Sequence, residues 1–520
     1  MRKSKLWAVI LSVSIVTAML AGCGDNSKNS SSTSGGADSS GSANAAGDTD
    51  AADDGETYTV VMGYLGDTYS DEALIEEEIN KIIEPLLNAK IDLRAYSWGT
   101  YQQELQLTLS GDENIDIVPI IVTNASGYVS NGQLIDLTDL IEVYGTNIKN
   151  YVDADFIKSP SIGDFIYGVT SMREQITWEG IVMRADILEE LGYSVEDNMC
   201  HEISSLEDLE AVYAKVLEAY PDMIMLGSVA NGSPLFRWET ADFLTDGFGA
   251  LMDYGQSTEV VNLYETEEFK DFAQTMYEWN QAGYLSKDAA TTTETLINQM
   301  KAGNTFSYMT PLKAGAVEQD ELSSAQDLAA APLFGDPYIT SYSVNFFTWG
   351  LARNSTNPGK AMQVLDYIYG SAEVMNLLNW GIEGTHYDFV EGEADVITYP
   401  EGVTVDNKTW GLNIGWELPN QEIAYVWEGE DSSKWELQHE YIDAAKRSKA
   451  LGFTYDSTDV SNELTALTNV KNEWYDAIGT GSVDPASAID QFNADLYSAG
   501  LQTVIDLKQE QLDAWLAAQE

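Results

Sequence analysis

The stretch from Tyr58 to Val122 reads strand, helix, strand, helix, strand, and that order constrains the fold more than any other feature of the chain. Tyr58-Thr-Val-Val-Met-Gly-Tyr-Leu65 is a β-rich run. Beyond a polar loop at Gly66–Ser70, Ile75, Ile79, Ile82, Ile83 and Leu86 recur at helical spacing. Ile91-Asp-Leu-Arg-Ala95 alternates as a short strand, and Tyr101–Leu109 suits a helix. Ile115–Val122 is an apolar run expected to be a parallel strand buried on both faces. The alternation predicts an α/β fold, an open sheet covered by helices, in which ligands sit beyond the carboxyl ends of the strands. That places Tyr64, Asp67, Asn124 and Ser126 in candidate ligand-contacting loops.

The segment before this body has a different chemistry. Arg2, Lys3 and Lys5 precede an apolar run from Leu6 to Leu20, too short for a membrane span and followed at once by small residues. This is the pattern of a signal peptide, residues 1–22. It ends in Leu20-Ala21-Gly22-Cys23, which resembles a bacterial lipobox, and the resemblance implies a lipid on Cys23. Of the 33 residues Gly24 to Glu56, 29 are Gly, Ser, Ala, Asp or Asn, with no aromatic or large aliphatic side chain to build a core. Residues 23–56 are therefore expected to be a lipidated Cys and a disordered tether, reaching roughly 30 Å as a flexible coil.

The net charge is −58, from 84 acidic and 26 basic residues. Nucleic-acid binding runs on Lys and Arg against phosphate, so that class is excluded, as is docking on anionic lipid by charge. Hydrophobic residues at 44% and aromatics at 11% are far from a disordered composition. With only Cys23 and Cys200, no disulfide framework or cysteine-rich metal site is available. Farther along, Ser205-Leu-Glu-Asp208 reads as a capping box ahead of Leu209, Val212, Val216 and Leu217. Phe269, Phe272, Met276 and Trp279 share a helical stripe that Gly283 can stop, and Asn357-Pro358 suits a helix start. The final helix is expected over Leu501–Ala518.

Several segments resemble the extracellular solute-binding proteins of ABC importers, in particular a lipoprotein branch termed LplA- or LipO-like. The carriers are Phe165-Ile-Tyr-Gly-Val169, Ile181-Val-Met-Arg-Ala-Asp-Ile-Leu-Glu-Glu-Leu-Gly192, and Asn379-Trp-Gly-Ile-Glu-Gly-Thr-His-Tyr387. Gly452-Phe-Thr-Tyr-Asp456, Asn469-Val and Gly481-Ser-Val-Asp-Pro485 resemble the C-terminal region of the same group. The resemblance covers about residues 57–518 and implies two α/β lobes joined by hinge strands, the fold of periplasmic-binding-type proteins. By that likeness lobe 1 takes 57–170 plus 338–395, and lobe 2 takes 171–337 plus 396–520. A ligand would be held between lobes that close about the hinge.

For a carbohydrate ligand, aromatic faces would stack on the sugar and polar groups would bond its hydroxyls. The family topology points to Trp178, Trp238 and Trp380 as lining residues, with Arg173, Glu174 and Gln175 in a polar cluster just after the first hinge strand. Glu383, His386 and Tyr387 share a Gly-punctuated loop that is either a ligand contact or a structural turn. Trp98 is expected to pack under the first lobe, and Cys200 beside His201 to sit in a surface turn.

Catalytic patterns are missing: neither His439-Glu440 nor His201-Glu202 has a second His four residues on, and no nucleophile elbow or phosphate loop occurs. The expectation is a non-enzymatic solute receptor without cofactor or metal, monomeric, and anchored through Cys23 on the outer face of the cytoplasmic membrane of a Gram-positive-type bacterium. Its partners would be a carbohydrate and the ABC permease subunits. A surface glycoside hydrolase, or a non-transport sensor or adhesin, is the alternative.

Overall fold

The structure, a computed structural model, describes residues 56–229, 234, 240–405, 407–431 and 433–519. The leader, Cys23, the tether up to residue 55 and Trp238 lie outside the described residues. Among the described residues no helix is long and apolar enough to cross a membrane.

The first sheet grows from the alternation in the sequence. β1 (Tyr58–Leu65) is followed by α1 (Glu72–Leu87), β2 (Ala89–Tyr96), α2 (Tyr101–Ser110), β3 (Ile117–Ile121) and α3 (Val122–Ser130). β1 pairs in parallel with both β2 and β3. The apolar stripe on α1 buries Ile75, Ile79 and Ile83, while Leu86 stays 62% exposed at the helix end. A short β4 (Val169–Thr170) then leads the chain away.

The second sheet is built from β5 (Glu179–Arg184), β6 (Ile224–Leu226), β7 (Thr305–Pro311) and β8 (Leu328–Pro332), in the order β8-β5-β7-β6. Its helices include α4 (Leu206–Ala219), where Ser205 Oγ accepts from the Asp208 N–H at 3.1 Å. They also include α5 (Glu267–Gln281), whose stripe Phe269, Phe272, Met276 and Trp279 is buried. Burying each such side chain is worth about 1.5–3 kcal/mol. Cys200 is fully buried in this core rather than in a surface turn, because its segment lies alongside β8, with the Cys200 N–H donating to the Ala330 carbonyl at 2.8 Å, and its side chain joins the core as a small hydrophobe.

The chain then returns to the first sheet. β9 (Tyr338–Ile339) precedes β10 (Phe347–Leu351), which runs antiparallel to both β3 and β4 and completes the order β2-β1-β3-β10-β4. α6 (Pro358–Gly370) opens with Asn357, whose Oδ1 accepts from the Lys360 N–H at 3.1 Å. After α7 (Ala372–Asn379) and α8 (Lys434–Ala444), β11 (Lys446–Arg447) pairs in parallel with β9. The last three helices, α9 (Ser461–Gly479), α10 (Pro485–Ser498) and α11 (Leu501–Gln519), pack on one another and on α5 and bury their apolar residues in the second core.

Two large cores result. One holds residues from Val60 to Ile176 and from Ile339 to Leu378, and then also Trp410, Leu412, Leu418 and Ile442. The other runs from Ile181 to Leu333 and resumes at Ala450. The segment from 396 to about 442, expected with the second lobe, thus contributes Trp410, Leu412, Leu418 and Ile442 to the first core. A buried Lys508 on α11 pairs with Asp246 at 2.5 Å and donates to the Gly249 carbonyl at 3.1 Å, fastening the last helix to the second core.

Candidate ligand-binding cleft

Three chain passages link the cores, and their backbone bonds position the polar cluster predicted after the first hinge strand. Thr177 and Tyr338 exchange N–H···O bonds of 2.7 and 2.9 Å, and the Met172 N–H donates to the Pro419 carbonyl at 2.8 Å. Arg173 and Glu174 lie between these ties. The Arg173 guanidinium donates to the Glu174 carbonyl at 2.9 Å and the Ser343 carbonyl at 2.7 Å, and lies 5.4 Å from the Phe346 ring centre. Burial lowers its pKa, against the attraction of Glu174.

Glu174 joins the two sides. Lys313, just past β7, donates to one carboxylate oxygen at 3.1 Å, and Gln421 donates to the other at 2.9 Å. Burial opposes ionisation of Glu174, but Lys313 and Arg173 outweigh it and hold the carboxyl at about 2.

Around this node the cleft opens into two adjoining cavities that share Glu174, Lys313 and Gln319. The wider holds about 360 Å³ and is walled by Arg173, Thr177, Pro311, Tyr342 and Phe346. The narrower holds about 100 Å³ and lies behind Trp416, against Trp380, Trp435 and Gln438.

An aromatic strip runs along the rim at the carboxyl ends of the first sheet. Trp98, immediately after β2, stacks on Trp416 with ring centres 5.8 Å apart and an interplanar angle of 26°. Trp416 in turn meets Phe346 at 6.1 Å, and Phe346 meets Tyr342 at 5.8 Å. Trp98 is 48% exposed, so it does not pack under the lobe as its sequence context suggested. The polar turn that follows β2 carries it outward, where its partner is an indole from a distant segment.

Beneath Trp416 the chain buries Glu417 completely. Its backbone carbonyl accepts from Trp349 Nε1 at 2.8 Å and from Ser171 Oγ, while neither carboxylate oxygen has a partner among the described residues. Burial pushes its pKa up to about 9, with the Leu65 backbone as the one opposing influence.

The remaining candidate residues are distributed as follows. Trp380 walls the narrow cavity, its indole N–H donating to the Tyr425 carbonyl at 3.0 Å. Trp178 is half-buried at the junction, donating to the Gly335 carbonyl at 2.9 Å and meeting the Tyr441 ring at 5.1 Å. Gln175 is fully buried and donates to the Ser171 carbonyl at 3.0 Å. Tyr64 is buried on β1 with its hydroxyl on Glu72 at 2.6 Å, and Asp67 is exposed in the following loop. Asn124 and Ser126 border a separate groove of about 580 Å³ beside α2 and α3, where Ser126 and Ser457 hydroxyls are 2.8 Å apart.

The 383–387 loop is braced by its own side chains. His386 Nδ1 accepts from the Ile382 N–H at 3.0 Å, its Nε2 lies 3.2 Å from Asp71, and the Gly384 N–H donates to the Tyr387 carbonyl at 2.8 Å. His386 and Tyr387 are buried, Glu383 is exposed, and none of the three borders either cleft cavity. Sequence reasoning missed Lys313, Tyr342, Phe346, Trp416, Gln421, Trp435 and Gln438. An indole or amide carries no mark in the sequence of which cavity it faces. Among the described residues no group of three or more His, Cys, Asp or Glu side chains could hold a metal ion.

Two α/β cores, three linking passages and a cleft between them define the class, a two-lobed solute-binding fold. Comparison with known proteins agrees. The chain is 28% identical over 474 residues to a carbohydrate ABC transporter substrate-binding protein of Streptococcus pneumoniae serotype 4, covering 89% of this chain and 92% of that one. The crystal structure of the N-glycan transport solute-binding protein NgtS from Streptococcus pneumoniae superposes with a TM-score of 0.78 at 24% identity, covering 89% of this chain and all of that one. The same protein in complex with Man1GlcNAc gives a TM-score of 0.69 at 25% identity, over 88% and 99% of the two chains. A family described as a domain of unknown function, DUF3502, matches residues 449–517. The chain is a homologue of a carbohydrate ABC transporter substrate-binding protein and has the fold of the two-lobed solute receptors.

Proposed function

We propose that this protein is an extracytoplasmic receptor that captures a carbohydrate between its two lobes and delivers it to an ABC permease. The observation that carries the reading is the strip Trp98–Trp416–Phe346–Tyr342 at the strand ends, beside the partly buried Arg173, Glu174 and Lys313 cluster. Aromatic faces suit the C–H faces of sugar rings, and fixed polar groups suit their hydroxyls. The names of the pneumococcal relative and of the NgtS glycan complexes support a carbohydrate, and an oligosaccharide in particular.

In this reading the first lobe is built around residues 57–170 and 338–395 and the second around 171–337 and 396–520. The 396–442 segment is the exception, reaching across to the first core. Binding shifts an open–closed equilibrium because the ligand touches both lobes only when they approach. Residues 1–22 serve as an export leader, Cys23 carries lipid on the outer face of the membrane, and the receptor acts as a monomer with the ABC permease subunits as partners.

Calorimetry and tryptophan fluorescence against a panel of mono- and oligosaccharides test the capture step. Saturable binding without new reducing ends is expected. No response to any sugar refutes carbohydrate capture, and sustained release of reducing ends refutes the receptor reading in favour of a glycoside hydrolase. Replacing Cys23 by Ala should release the protein from membranes.

A further inference from the structure

The two lobes also meet on a side that does not border the cleft cavities. The short helix Ser341–Asn345 separates the two sides. Tyr342 and Ser343, with Phe346 just beyond, wall the wider cavity. Ser341 and Asn345, four residues apart and so on another face, hold the segment that follows β11. The Ser341 hydroxyl donates to the Ala450 carbonyl at 2.8 Å and accepts from the Gly452 N–H at 2.9 Å. The Asn345 amide donates to the Thr454 hydroxyl at 3.3 Å. This segment, Arg447 to Ser457, is a strap resting on the second lobe, where Ala450, Phe453 and Tyr455 enter the core. Both of its ends reach the first lobe. Arg447 pairs with Asp153 and Asp155 at 3.1 and 3.0 Å, at the passage where β11 pairs with β9. At the far end the Ser457 hydroxyl meets that of Ser126 on α3 at 2.8 Å. Ser126 is 8% exposed, and its neighbours Ala125 and Tyr128 enter the first core, so this bond ties lobe to lobe.

A rotation about the linking passages moves their own residues little and distant ones most. Arg447 sits at a passage, whereas Ser457 is the tie farthest along the strap from it. The strap and the cleft lie on different sides of the 341–345 helix, so lobes that close over the cleft swing apart at Ser457. Past the tie the lobes already part into the groove of about 580 Å³, with Gln102, Asn124 and Asn131 on one wall and Thr458, Ser461 and Leu464 on the other. No described residue bordering that groove carries a charge, in a chain of net charge −58. The contact at this end is therefore one neutral hydroxyl pair with no ionic lock beside it, strong enough to bias the lobes and weak enough to break.

We propose that the Ser126–Ser457 tie holds the lobes open and must break before they close on a ligand. The strap lies at the start of residues 449–517, the stretch matched by the family of unknown function, and the inference gives that start a mechanical role. It rests on the hinge-closure reading above. Ligand binding then works against the tie, and the apparent affinity of the cleft is lower by the worth of one hydrogen bond.

Calorimetry of the full chain tests it, with mannosyl-N-acetylglucosamine, chitobiose, cellobiose and kestose as probes. Ser126→Ala and Ser457→Ala should each tighten binding by roughly two- to tenfold, the worth of one neutral hydrogen bond. The double variant should gain no more than either single one, because both remove the same bond. Joining the positions should do the reverse. Ser126→Cys with Ser457→Cys, once oxidised, should weaken binding at least tenfold, and a reductant should restore it. Made with Cys23→Ala, the pair leaves Cys200, fully buried, as the one other thiol. Melting curves report whether each variant folds, and the alanine variants carry the test alone if the cysteines do not join. Unchanged or weaker binding by the alanine variants, or tighter binding by the oxidised pair, overturns the tie and leaves carbohydrate capture standing. If neither these probes nor the wider panel binds, the capture reading and the tie fall together.

Discussion

Replacing Glu417 by Gln should stabilise the protein by an amount that grows with pH. The side chain is fully buried, neither carboxylate oxygen has a hydrogen-bond partner within normal distance among the described residues, and burial, opposed only by the Leu65 backbone, raises its pKa from 4.5 to about 9. Between those values the folded protein keeps a proton that the unfolded chain has released. The folded state binds more protons, so the free energy of unfolding falls as pH rises. This group's contribution is intact below the unfolded pKa of 4.5 and is lost progressively up to about 9. One pKa unit is worth about 1.4 kcal/mol, so relative to a permanently neutral Gln the wild type should lose about 1 kcal/mol at pH 5, about 3 at pH 7 and about 5 at pH 8.5. The assay is urea denaturation of both proteins at these three pH values, followed by tryptophan fluorescence and by far-UV circular dichroism. Coincidence of the two probes checks that the lobes unfold together. If the two stabilities run parallel from pH 5 to 8.5, Glu417 does not hold an extra proton in the fold and the reasoning is refuted.

Three further changes probe other parts of the molecule. Lys508→Ala should lower stability by about 2–3 kcal/mol, since it removes a fully buried side chain and its ion pair while Asp246, partly exposed, keeps the Tyr455 hydroxyl and the Phe248 N–H, and a calorimetric melt would measure it. Trp98→Ala should weaken sugar binding by roughly three- to tenfold through the lost ring face, with little change in melting temperature because Trp98 is 48% exposed. Arg447→Ala removes pairs of 3.1 and 3.0 Å to Asp153 and Asp155, and as these groups are partly exposed the loss of stability should stay within about 1 kcal/mol.

The regular elements were legible because their signals are local. The isoleucine stripe of α1, the aromatic stripe of α5 and the Asn357-Pro358 start of α6 each follow from spacing or capping within a few residues. The cleft was only half legible for the opposite reason. Arg173, Glu174 and Trp380 were found from their place near expected crossings, and they border the cavities. Trp98 was misread because its exposure depends on Trp416, which reaches it from the far end of the chain. Lys313 and Gln421 carry no signal until β7 and the Pro419 passage are brought together at Glu174. His386 shows the converse. Its loop looked chemical, yet its ring nitrogens serve the turn itself and Asp71.

The position of β10 also bears on how the chain folds in time. β4 pairs with β10, and β10 pairs with β3, so the five-stranded sheet cannot close until Phe347–Leu351 has arrived. By then the chain has emitted all four strands of the second sheet, which can pair among themselves without waiting. A chain threaded outward from its first residue would therefore complete the later sheet before the earlier one, leaving β1–β3 with an open edge in the interval. Such long-range closure is slow and exposes strand edges to misassociation. For this protein the hazard of aggregation would be greatest before about residue 351 has emerged.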